Sequence, residues 1–319
     1  MPIKNALLFS SLFAGLSILS VGGPLLGEMF ATMAPIYPLR DERLPANLEI
    51  PYEDVAFPTS DGLTLRGWFF PAADPQAPAV LYAPATSHDQ RSGLSLVEPL
   101  HQAGYHVLLF SYRGHGASDG NRFGFTYGAA ESQDVDAAAS YLYTKRHIRR
   151  IAAIGHSAGA VSIILSAARN PLIGAVVAAS PFNSVQEVWE TSRPGFFPGG
   201  LFNLVMRISE MRKGFRRSQV RPDQVIPQIA PRPLLLIYGS EDQRITLNQA
   251  RRLFARAKAP KQFWLIGGAS HDQVRTPGLD TLMDRIIPFL NVAFQYTEGD
   301  PTRLNKSIFS RYADQKKGL

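Results

Sequence analysis

The chain has 319 residues, 45% hydrophobic and 18% charged, a balance that supports a sizeable core and excludes global disorder; the length suits one large α/β domain with additions, or two small ones. Cysteine is absent, which removes a disulfide framework, a thiolate nucleophile and any Cys-based zinc site. The net charge of +7 comes with no nucleic-acid motif and reads as solvated surface charge.

Residues 5–27 carry no charge over 23 positions, and a bilayer span needs about 20 mostly apolar residues. Lys4 and the amino terminus precede the stretch. This positive flank stays in the cytoplasm and sends the remainder outside. The expectation is an N-terminal transmembrane anchor over residues 1–30 with the rest of the chain extracytoplasmic. The rivals are a signal segment whose cleavage leaves a secreted or periplasmic protein, and a buried core helix. Residues 31–52 are a Pro-rich linker. The alternating stretches 53–57 and 63–70, joined by Ser60-Asp61-Gly62, predict a hairpin.

Apolar runs at 79–83 and 107–110 predict buried strands, separated by a helix over 94–103 that Gly104 closes. After the second comes the glycine loop Tyr112-Arg113-Gly114-His115-Gly116-Ala117-Ser118, then a helix over 126–144. Residues 151–154 predict a strand, 158–169 a helix and 173–179 another strand. Residues 182–230 leave this rhythm. Pro194, Pro198 and nearby glycines break the chain, and an amphipathic piece follows. Its apolar face is Leu201, Leu204, Val205, Ile208 and Met211; its basic face is Arg207, Arg212, Lys213, Arg216 and Arg217. Alternation resumes with strands at 234–238 and 262–266 and helices at 247–257 and about 278–294; a polar tail occupies 297–319. Strands alternating with helices imply an α/β fold whose mostly parallel sheet is covered on both faces.

Within this order the stretch 151–169 carries the chemistry. Gly155-His156-Ser157-Ala158-Gly159 is G-x-S-x-G between a predicted strand and a predicted helix. Such a turn forces the serine into an uncomfortable backbone conformation, lifts its hydroxyl above the sheet edge, and aims the N–H of Ala158 at the place where negative charge develops. A serine needs a base. His271, in the loop after the last strand, sits where a base reaches the nucleophile. His156 is too close in sequence to point the same way and reads as a wall residue; His115 belongs to the glycine loop. The base needs a carboxylate. Asp242 is the first choice and Glu241 the second, both in the loop after strand 234–238. Ser157, Asp242, His271 is the order nucleophile, acid, base.

These segments resemble the α/β-hydrolase superfamily, over 53–296, and within it an anchored or exported branch with serine aminopeptidase-like and dienelactone-hydrolase-like features. The resemblance implies an α/β-hydrolase fold with a lid at about 182–230, and a serine hydrolase acting on a small-molecule acyl substrate. An ester comes first, with peptide or thioester as alternatives and a non-catalytic membrane-tethered binding protein as the contrasting class. It implies no cofactor and no metal, and it makes Arg113 and the glycines of 112–118 a wall of the site. The family's His-Gly after the third strand is replaced by Tyr82-Ala83-Pro84-Ala85-Thr86. Pro84 lacks an N–H, so Ala85 or Thr86 would join Ala158 in the oxyanion hole. The basic face of the insertion has two readings, contact with anionic lipid headgroups beside the anchor or a solvated face packed on the body.

Overall fold

The apolar runs become the strands of one sheet. The computed structural model describes residues 44–298 apart from 122–123, 194, 196–197 and 276–278. Its strands are β1 (Glu53–Pro58), β2 (Thr64–Phe70), β3 (Ala79–Ala83), β4 (His106–Phe110), β5 (Ile151–His156), β6 (Ile173–Ala179), β7 (Leu234–Gly239) and β8 (Lys261–Ile266). They lie in the order β1-β2-β4-β3-β5-β6-β7-β8. The β1–β2 hairpin is antiparallel and β2 pairs antiparallel with β4; from β4 to β8 every pairing is parallel.

Period-two geometry sends alternate side chains to opposite faces. On β3, Ala79, Leu81 and Ala83 join one buried cluster, and Val80 and Tyr82 the other. The first face is covered by α2 (Glu131–Lys145), α3 (Ala158–Ala167) and α6 (Leu247–Arg256), and the second by α1 (Leu94–Gln102) and α7 (Leu279–Glu298). The central strands are buried on both faces, which is why they read as continuous apolar runs.

The helix expected from 126 begins only at Glu131. Tyr127 and Gly128 take positive φ, 59° and 115°, which no helix accommodates. The buried Glu131 carboxylate accepts hydrogen bonds from the backbone N–H of Thr126 (2.9 Å), the Thr126 hydroxyl (2.6 Å) and the backbone N–H of Gly128 (2.8 Å), and folds 126–130 into a loop before the first helical turn.

Between β6 and β7 the chain inserts α4 (Val185–Ser192), α5 (Gly199–Lys213) and short helical turns. The inner side of α5 packs Phe202, Val205 and Met206 against the core. Two of the cations read as a solvated face are not free in solvent. Lys213 is buried, its ammonium 5.1 Å from the centre of the Tyr127 ring, with no hydrogen-bond partner among the described residues. Arg217 pairs with Glu210 at 3.0 Å. Val205 is half-buried on the core side, whereas Leu201, Leu204, Ile208 and Met211 face outward. The insertion closes at Arg232, whose guanidinium donates to the carbonyls of Ala167 (2.5 Å), Asn170 (2.9 Å), Ile173 (2.9 Å), Ile229 (3.0 Å) and Gln228 (3.4 Å).

The uncharged stretch 5–27 lies outside the described residues, and the anchor and signal readings with it; so does nearly all of the polar tail. Among the described residues no helix is long and apolar enough to cross a membrane.

Candidate active site

At the C-terminal end of the central strand β5 the chain turns sharply into α3. Ser157 sits at the bend with φ 54° and ψ −120°, a region that L-residues rarely occupy. Its N–H donates to the carbonyl of Ala179 on the neighbouring strand (2.8 Å), which fixes the bend to the sheet. The turn also needs room. A Cβ on Gly159 would collide with the backbone carbonyl oxygens of Ala83 and Pro84, so only glycine lets the segment after β3 pass against the start of α3. That close passage brings residues 85 and 86 beside the bend. Ala85 is buried, Thr86 half-buried, and Ala158 buried at the first position of α3. The first N–H groups of a helix have no intrahelical acceptor, so Ala158 presents a donor and the positive end of a dipole beside the Ser157 hydroxyl.

Two further loops leave the sheet at the same end and are tied together. Ser240 Oγ accepts from the N–H of Gly268 (2.8 Å), and the N–H of Glu241 donates to the carbonyl of Ala269 (3.0 Å). Gly239 makes this approach possible, because a Cβ there would run into the Ala269 carbonyl. The tie settles which acid faces inward. Glu241 is exposed, whereas Asp242 is 6% exposed.

The Ser157 hydroxyl lies 3.0 Å from His271 Nε2, and His271 Nδ1 lies 2.8 Å from Asp242 Oδ2. The other carboxylate oxygen accepts the backbone N–H groups of Arg244 (2.9 Å) and Ile245 (2.8 Å). Burial pushes the Asp242 carboxyl up, but the hydrogen bonds from His271 and these amides outweigh it and hold the group below the ordinary aspartate value. An ionised Asp242 places the proton of neutral His271 on Nδ1 and leaves Nε2 free to accept from the serine.

His156 does more than line a wall. Its Nε2 lies 2.9 Å from the backbone carbonyl of His271 and its ring is 5.0 Å from the His271 ring, so it steadies the loop that carries His271. A histidine next to the nucleophile is the only sequence signal for this, and it does not name the partner. His115 is fully buried, bonded through Nδ1 to the Arg113 carbonyl (2.9 Å), with its ring between Tyr112 and Phe125. Arg113 is committed to ion pairs with Asp134 on α2 and Asp61 in the hairpin turn, both at 2.7 Å. It braces the glycine loop to the body.

One grouping resembles a metal site. His156, His271 and Asp272 have ligand atoms within 4.8 Å of one another. Both His271 nitrogens are already engaged by Asp242 and Ser157, so this set does not offer a metal three free donors.

Residues 85–211 match the model of the family described as serine aminopeptidase, S33. An uncharacterized protein of Mycobacterium tuberculosis is 31% identical over 267 residues, 82% of this chain and 85% of that one. The alpha/beta hydrolase domain-containing protein WAV2 of Arabidopsis thaliana is 28% identical over 235 residues, 67% of this chain and 70% of that one. Among solved structures, the Pyrococcus furiosus esterase Pf2001 superposes with a TM-score of 0.66 at 23% identity, over 82% of this chain and 97% of that one. At that identity the likeness is one of fold.

Proposed function

The chain belongs to the α/β-hydrolase family, and on that premise we propose that it is a serine hydrolase that cleaves a carboxylic ester through Ser157, His271 and Asp242. The observation that carries this is the unbroken run of short contacts from the Ser157 hydroxyl through both His271 nitrogens to Asp242. In the first half-reaction Ser157 Oγ attacks the acyl carbon while His271 Nε2 takes its proton. The carbonyl oxygen gains negative charge and is held by the N–H of Ala158 and that of Ala85 or Thr86. Losing one such donor typically slows turnover about a hundredfold or more. His271 then protonates the departing alcohol. In the second half-reaction His271 takes a proton from water as the oxygen attacks the acyl carbon; the adduct then expels Ser157 Oγ, which receives the proton back from His271, and the carboxylic acid leaves. Asp242 holds the ring in one tautomer and stabilises the imidazolium between these steps.

The insertion between β6 and β7 serves as the lid, since it leaves the sheet at the end where Ser157 stands. Residues 5–27 anchor the chain, with the hydrolase domain extracytoplasmic. The esterase name of the Pyrococcus neighbour supports an ester as the bond cleaved. The serine aminopeptidase description of the matching family supports a peptide as the second choice. Hydrolysis of acyl esters against aminoacyl-arylamides separates them.

The test is labelling of the full chain with a fluorophosphonate probe. The wild type takes the label and Ser157→Ala does not. A wild type that the probe leaves unlabelled overturns the proposal.

A further inference from the structure

The outer face of α5 is apolar, and no part of the described structure covers it. Leu201, Leu204, Ile208 and Met211 are 49%, 54%, 36% and 74% exposed. At about 100° per residue their spacing of three, four and three puts them in one stripe along the helix. Elsewhere among the described residues, large exposed apolar side chains occur singly, as at Leu44, Tyr52 and Tyr143. A continuous stripe of this kind marks a surface that meets something apolar.

The charges beside the stripe say what. The same spacing places Arg207 along one side of it and Arg212 along the other, both exposed. Beyond Met211 the surface dips into a groove of about 420 Å³ lined by Arg207, Glu210, Met211, Phe215 and Arg216. Glu210, the only acid of the helix, is already paired with Arg217, and the Arg207 guanidinium has no hydrogen-bond partner among the described residues. Guanidinium groups beside a concave surface suit phosphate oxygens, and an apolar ridge next to them suits acyl chains.

We propose that α5 docks lengthwise on the headgroup layer of an anionic phospholipid bilayer, its four apolar side chains entering the acyl boundary and Arg207 and Arg216 meeting lipid phosphates. A second copy of the chain is the poorer match, because two such faces would bring their arginines together with no acid left to pair them. The proposal does not depend on Ser157, and its test does not read catalysis.

The absence of cysteine makes the test clean, since one introduced thiol is the only thiol. Full-length Met211→Cys carries an environment-sensitive fluorophore and is mixed with phosphatidylcholine vesicles with and without phosphatidylglycerol. Thr144→Cys, on the exposed end of α2 that leads toward the start of β5 and away from Ser157, is the position control. The 211 probe should shift to the blue with anionic vesicles only, while the 144 probe stays unchanged. Adding Arg207→Glu and Arg216→Glu should weaken the response on the order of tenfold or more. Any N-terminal insertion acts equally on all variants, so it cannot mimic a signal confined to position 211. Three results overturn the proposal: a 211 probe that stays aqueous with both vesicles, a response equal with and without phosphatidylglycerol or untouched by the two charge reversals, and a probe already in an apolar setting before lipid is added. In the last case dilution tells a second copy, which releases the stripe, from the chain's own N-terminal segment, which does not.

Discussion

Two helices beside the candidate site are held in opposite ways. Every residue of α3, from Ala158 to Ala167, is buried. Of α5, from Gly199 to Lys213, only Phe202, Ser209 and Lys213 are. The first is wedged at the end of the central strand, where backbone meets backbone and a single added carbon has no place. The second rests on the body by one side. Chemistry that needs a hydroxyl and an imidazole within a few tenths of an ångström belongs on the first kind of support. A surface that meets varied partners belongs on the second.

The largest effect is expected at the rigid end. Asp242→Asn keeps the size of the side chain but removes the charge that orients His271; ester turnover should fall by about 10³–10⁴ in kcat, with the fold intact by circular dichroism. Gly159→Ala adds one carbon against the carbonyls of Ala83 and Pro84, and should lower unfolding free energy by about 3 kcal/mol or more in a denaturant titration. A tolerated Gly159→Ala would dissolve the contrast between the two helices.

Lys213 comes next, on the looser helix. Burial holds its ammonium down to about 8 from 10.5, against the pull of Glu131, which raises it. The folded chain therefore gives up this proton first. Between about pH 8 and 10.5 the unfolded chain holds a proton that the folded one lacks, so stability rises with pH across that window. The rise should be about 3 kcal/mol. Lys213→Met removes it and is more stable than wild type at pH 7, and the difference between the two proteins measured against pH isolates this group. The smallest effect is expected at His156. His156→Phe keeps the ring but loses the bond to the His271 carbonyl, which should cost about 1 kcal/mol of stability and lower kcat about tenfold with KM little changed.

Much of this was legible in the chain. The sheet followed from apolar runs spaced by helices, and the bend at Ser157 from two glycines around a serine. The loops holding Asp242 and His271 followed from their place after strands. What sequence could not show was set by partners far along the chain. His156 finds the carbonyl of His271 115 positions later. Lys213 reads as one more cation on a wet face until the ring of Tyr127, itself packed against Trp189 and Phe215, lies over its ammonium. The start of α2 was misplaced because a carboxylate three residues downstream captured the N–H of Gly128. Glu241 and Asp242 are neighbours of like charge, and only the tie between their loop and residues 268–269 decides which one turns inward.

Arg232 draws five carbonyls from the end of α3, the start of β6 and the last turn of the insertion onto one guanidinium. The insertion thus departs beside Ser157 and is riveted at the opposite pole of the sheet. Everything between Ser180 and Arg232 is a cassette with a fixed clasp. A relative's segment transplanted there should leave the sheet and its covering helices intact as long as the arginine travels with it.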